Sequence, residues 1–174
     1  MKRTIALMLA LMMLACAPMA LADAVRIAED ASGFDLKIVL PADALVSENN
    51  YDSVPYTFIT FEDTAKPKIY ISVAANEMYD AATVADLPKD DQNALASDVS
   101  AEMANPRTSL QKTAAGYPYL LVEDDADIDS AVYVLLKDGY LIQISVWHDD
   151  YRTLTQADNA LVSGLLDTLQ IVPV

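Results

Sequence analysis

From Phe34 the apolar positions alternate. Phe34, Leu36, Ile38 and Leu40 fall on one face and Asp35 and Lys37 on the other, which is the period of two of a half-buried strand. Val25-Arg26-Ile27-Ala28 precedes them across the turn-rich Glu29-Asp30-Ala31-Ser32-Gly33, so residues 25–40 are expected to form a hairpin that Pro41 ends. Residues 41–55 carry Ser, Asn and Asp in the proportions of a loop, with one helical turn expected around 43–46. Residues 56–61 and 68–75 are aromatic and β-branched, and the polar stretch 62–67 between them makes a second hairpin.

After Ala75 the period of two is lost. Leu95, Val99 and Met103 stand four apart on one face of an expected helix that Asp90 or Asp91 caps and Asn105-Pro106 stops. Gly116-Tyr117-Pro118 introduces a strand over 119–122, and an acidic connection leads to another over 131–136. Asp138-Gly139 suits the left-handed dihedrals of a tight turn, so 131–136 should pair with 140–147. Thr155, with Asp158 three residues on, is expected to cap a last helix with Ala157, Leu161, Leu165 and Leu169 on one face. Strands do not alternate with helices, so the fold class is α+β, an antiparallel β-sheet packed against helices.

The amino end has a different pattern. Lys2 and Arg3 precede an uninterrupted apolar run from Ile5 to Ala15, Pro18 breaks it, and Ala20-Leu21-Ala22 offers small residues at both recognition positions of a signal peptidase. Residues 1–22 therefore read as a signal peptide cleaved between Ala22 and Asp23, leaving 23–174 as a single domain that is secreted or kept in the cell envelope. Two alternatives stay open. The apolar stretch could anchor the chain uncleaved, or Met13-Leu14-Ala15-Cys16 could act as a lipobox, making a lipoprotein acylated at Cys16. Membrane contact is expected only by these routes.

Charge narrows the partners. The cleaved chain keeps nine of the 11 basic residues against all 26 acidic ones, a formal charge of −17. Such a surface repels phosphate backbones, which excludes nucleic acid and leaves an unknown protein or small ligand as the partner. Cys16, the lone cysteine, lies in the signal, so the exported form has no disulfide and depends on core packing.

Gly33-Phe34-Asp35-Leu36 running into Pro41, then Gly116-Tyr117-Pro118, then Lys137-Asp138-Gly139-Tyr140-Leu141-Ile142 before a closing amphipathic helix, resembles the PsbP-like superfamily and its bacterial envelope relatives of the DcrB type. The resemblance spans nearly the whole mature chain. It implies an α/β/α sandwich and a non-enzymatic role, and it supplies no catalytic signature.

Candidate chemistry is sparse. Asp125, Asp127 and Asp129 recur at a spacing of two, as at the start of a calcium loop, and make calcium the one cofactor to consider. Ser130 stands where such a loop needs glycine, and Leu136 where it needs a bidentate Glu. His148, the single histidine, lies between Trp147 and Asp149-Asp150, and no Gly-x-Ser-x-Gly elbow accompanies it. The expected function is an exported, non-enzymatic binding or interaction module. A calcium-binding envelope protein and a secreted hydrolase using His148 are the alternatives.

Overall fold

A computed structural model describes residues 21–29, 34–51, 54–101, 103–124 and 129–173. In chain order the strands are β1 (Leu21–Glu29), β2 (Phe34–Pro41), β3 (Ala44–Tyr51), β4 (Val54–Phe61) and β5 (Lys68–Ala75), followed by helix α1 (Lys89–Val99). Then come β6 (Pro106–Lys112), β7 (Pro118–Asp124), β8 (Ser130–Lys137), β9 (Tyr140–Trp147), helix α2 (Gln156–Thr168) and β10 (Gln170–Pro173). The pairings are all antiparallel, in a three-stranded sheet of order β1-β2-β10 and a seven-stranded sheet of order β3-β4-β5-β9-β8-β7-β6. The fold is a mostly-sheet α+β.

The two expected hairpins form as β1-β2 and β4-β5, and β8-β9 closes on Asp138-Gly139. Asp138 has φ 52° and Gly139 φ 84°, the pair of positive values that a two-residue turn matching strand twist demands. Gly139→Val is expected to lower stability by about 1 kcal/mol or more, because a β-branched residue resists that region. Urea denaturation reads this directly, and an unchanged midpoint would refute the turn's dependence on glycine.

Three expectations need correction, and one strand, β10, was not expected. Residues 44–51 are not a loop with a helical turn but an edge strand, β3, in register with β4 from Ala44↔Phe61 to Tyr51↔Val54. The backbone hydrogen bonds of that ladder outweigh the polar composition of Ser47-Glu48-Asn49-Asn50. Helix α1 has Pro88 at its N-cap instead of an aspartate. Asp90 and Asp91 occupy its first turn, where the helix dipole favours carboxylates. The helix also ends at Val99, short of Met103, and Pro106 starts the exposed edge strand β6, a position where a missing N–H costs nothing. Finally, β10 follows α2 directly and pairs with β2.

β8 runs between two hydrophobic clusters. Ala131, Tyr133 and Leu135 join Ile59, Ile71, Ile144, Val162 and Leu165 in one cluster, while Val132, Val134 and Leu136 join Leu95, Ala96, Leu120 and Val122 in the other. Successive strand residues point to opposite faces, so an unbroken apolar run is what a strand buried on both sides requires.

Candidate functional site

The site lies where the end of β9, the start of α2 and the β4–β5 loop meet. Thr155 and Asp158 form a complete capping box: the Asp158 backbone N–H donates to Thr155 Oγ1 at 3.3 Å, and the Thr155 backbone N–H donates to Asp158 Oδ2 at 2.7 Å. The Thr155 hydroxyl also donates to Oδ2, at 2.7 Å. His148 Nε2 lies 3.3 Å from the same oxygen. Burial opposes ionisation of Asp158, but the Thr155 N–H and hydroxyl and the His148 ring together hold its carboxyl below the usual aspartate range.

The other face of the imidazole meets Arg152, whose Nη2 is 3.0 Å from His148 Nδ1. A guanidinium only donates. In this contact Nδ1 is therefore the acceptor, and Nε2 is the nitrogen that faces Asp158. His148 is 4% exposed, and with both nitrogens engaged its ring has none left to activate a hydroxyl as Ser-His-Asp chemistry requires. The same Arg152 Nη2 donates to the backbone carbonyls of Thr64 and Ala65 in the β4–β5 loop. That loop has a second tether, Lys66 Nζ to Asp43 Oδ2 at 2.6 Å, and the Lys66 bond holds the Asp43 carboxyl below its ordinary range.

Two concavities flank this junction. An apolar groove of about 640 Å³ runs along α2, floored by Ala157, Ala160, Leu161 and Gly164 and walled by Val39, Pro41, Ala65 and Lys66. Its volume falls within the range of about 300–1,000 Å³ usual for small-molecule sites. A polar recess of about 400 Å³ lies beyond, lined by residues that include Thr64, Lys68, His148, Asp149 and Asp150. Ala65, Lys66 and Arg152 line both. Of the face expected for the last helix, Leu165 and Leu169 are buried and Leu161 packs partly buried against the core, while Ala157 is exposed. Val162 and Leu166 are buried beside them with Asp158, and Ala157, Leu161 and Leu165 also line the groove.

Of the other sequence candidates, Asp129 stands in the bend before β8, and Asp125 and Asp127 lie outside the described residues. Among the described residues no group of His, Cys, Asp and Glu is arranged to hold a metal ion. Ala22 and Asp23 fall within β1; Cys16 lies outside the described residues. No helix among the described residues is long and apolar enough to cross a membrane. Arg152 had no sequence signal of its own. The capping box that positions Asp158 did.

No family model matches the chain, nor does any curated protein sequence. The solution structure of cyanobacterial PsbP (CyanoP) from Synechocystis sp. PCC 6803 matches with a TM-score of 0.52 at 13% identity, over 90% of this chain and 96% of that one. The fold is PsbP-like. The sequence resemblance thus holds at the level of fold, and function has to be argued from this chain's own site.

Proposed function

We propose that the protein is an exported, non-enzymatic binding module that holds a small apolar ligand in the groove along α2. The observation that carries this reading is the groove itself, a concavity of about 640 Å³ floored by alanine, leucine and glycine on a helix whose opposite face is core. Only a few polar groups rim it, among them Lys66 and Arg152, and both are already bonded to protein partners. An apolar floor with few polar groups suits a ligand bound by burial of its own surface. On this reading the helices lie on opposite sides of the large sheet, in an α/β/α sandwich.

Titration with N-phenyl-1-naphthylamine, an uncharged dye that fluoresces in apolar sites, tests the groove. A Cβ built at Gly164 meets nothing within 4 Å, and glycine within a helix is the poorest former save proline. Gly164→Phe should therefore fold as well as the parent while filling the groove. Dye affinity is expected to fall at least tenfold with no loss of melting temperature. Equal binding by parent and variant would sink the groove as the site.

Export has its own test. Intact mass of the protein recovered from the envelope or medium is expected to show a chain starting at Asp23. A start at acylated Cys16, or retention of Met1, would replace the released form with a lipoprotein or an anchored one.

A further inference from the structure

We propose that the outer face of β4, β5 and β9 is a second binding surface, on which Tyr56, Phe58, Tyr70 and Trp147 stack against the rings of a neutral oligosaccharide. None of these four residues lines the groove along α2.

Alternation sets up the face. Residues between the aromatics, such as Ile59, Ile71 and Ile144, are core, so the aromatics point the other way. Sheet pairing then gathers them on one side, with Phe58 opposite Tyr70, Tyr70 opposite Ser145 and Lys68 opposite Trp147. The same face continues onto β8, where Val132 stands opposite Ser145 and Val134 opposite Gln143. There the segment before α1 and α1 itself cover it, burying Val132 and Val134 with Val84, Leu87 and Leu95. On β4, β5 and β9 the outward side chains stay partly exposed.

The solvent face of an antiparallel sheet ordinarily alternates polar residues against the core. This one carries rings. Tyr56 stacks on Tyr70 with centroids 5.0 Å apart and planes 30° apart, and Phe58 meets Trp147 across β5 at 5.8 Å. Burial, and then the neighbouring Tyr56, raise the pKa of the Tyr70 hydroxyl, so that group stays uncharged.

Charge selects the occupant. With nine basic residues against 26 acidic ones, the cleaved chain repels anionic polymers and a second copy of itself. A cation meets a different obstacle, because the Lys68 ammonium already lies 5.8 Å over the Phe58 ring and is held at 2.6 Å by Asp149. A neutral ligand meets neither. Its chemistry has to suit both kinds of group on the face. The π faces attract C–H groups of partial positive charge, and the Gln143 amide and Ser145 hydroxyl, 3.5 Å apart, exchange hydrogen bonds. A pyranose ring has C–H groups on its faces and hydroxyls around its rim, so it can lie on the aromatics while its rim reaches the amide. Tyr56 and Phe58 stand two residues apart on β4, about 7 Å, so the two aromatic pairs suit successive units of a sugar chain.

Trp147 is the chain's single tryptophan, and its emission reports on this surface directly. The test is a titration of the protein with cellohexaose, laminarihexaose and maltohexaose at millimolar concentration, with the Trp147 indole and Gln143 side-chain amide followed by NMR. At least one sugar should change the emission saturably and move both signals together. Tyr70→Phe, which keeps the ring, should bind like the parent. Tyr70→Ser should weaken binding at least tenfold, and Gln143→Ala severalfold. Aromatic pairs also stabilise a sheet, so a melting temperature accompanies every affinity, and Tyr56→Ser takes the place of Tyr70→Ser if that variant does not fold. Silence toward all three sugars, parental affinity in the folded serine variant, or a sugar response confined to α2 would each overturn the proposal. So would movement of the Trp147 and Gln143 signals by tetramethylammonium or by self-association in place of sugar.

Discussion

Tyr133→Ala is expected to cost about 3–5 kcal/mol, the range for removing a large aromatic side chain from a core. Tyr133 is 1% exposed on β8, its ring centroid lies 5.5 Å from that of Tyr119, and its hydroxyl donates to Asn159 Oδ1 on α2. Burial pushes the hydroxyl's pKa well above the usual tyrosine value, with Tyr119, Glu123 and Asp158 adding to the shift, so the group stays neutral and acts as a donor. Tyr133→Phe separates the two contributions. It removes the bond and leaves the ring, and should cost about 1 kcal/mol. Urea denaturation of the three proteins with equal slopes measures both, and a loss below about 2 kcal/mol for alanine would show that α2 and the large sheet do not depend on this contact.

Asp158→Ala is the second large effect, about 2–4 kcal/mol. Loss of a helix cap contributes about 1 kcal/mol, and leaving the buried His148 Nε2 without its partner adds about 1–3 kcal/mol. Thr155→Ala disrupts the box but spares the His148 bond, and should cost only about 1 kcal/mol. The pH dependence has a definite sign. The folded-state pKa of Asp158 is lowered, so its contribution is fully present above the unfolded aspartate value of about 3.9 and is lost as pH falls through the folded value. Asp158→Asn should therefore flatten the decline of stability on the acid side of about pH 4. A variant whose acid limb matched the parent's would assign that decline to other carboxylates.

Regular local patterns were legible in the chain. Ile38 and Leu40 alternate with Lys37 and Val39, and that period places the first two in the core. Asp138-Gly139 announced its turn and Thr155 with Asp158 announced the start of α2, because each of these depends on residues within a few positions of one another. Strands β3 and β6 were not legible. Ser-Glu-Asn-Asn and Arg-Thr-Ser-Leu-Gln-Lys have loop composition, and they become strands because β4 and β7 offer ladders on the edges of a seven-stranded sheet.

The site divides the same way. The sequence by itself determined the α+β class, the core faces of the alternating strands, the capping box and the position of a lone histidine at a strand end, since propensity and periodicity act over a few residues. Tertiary structure alone decided that Arg152 would reach the carbonyls of Thr64 and Ala65, 87 or more residues away. It also left Ala157 exposed and set Leu161 at the edge of the core, where both floor a groove. Such contacts arise when β9 pairs with β5, bringing the β4–β5 loop beside the start of α2, and no local pattern records a neighbour that only sheet pairing supplies.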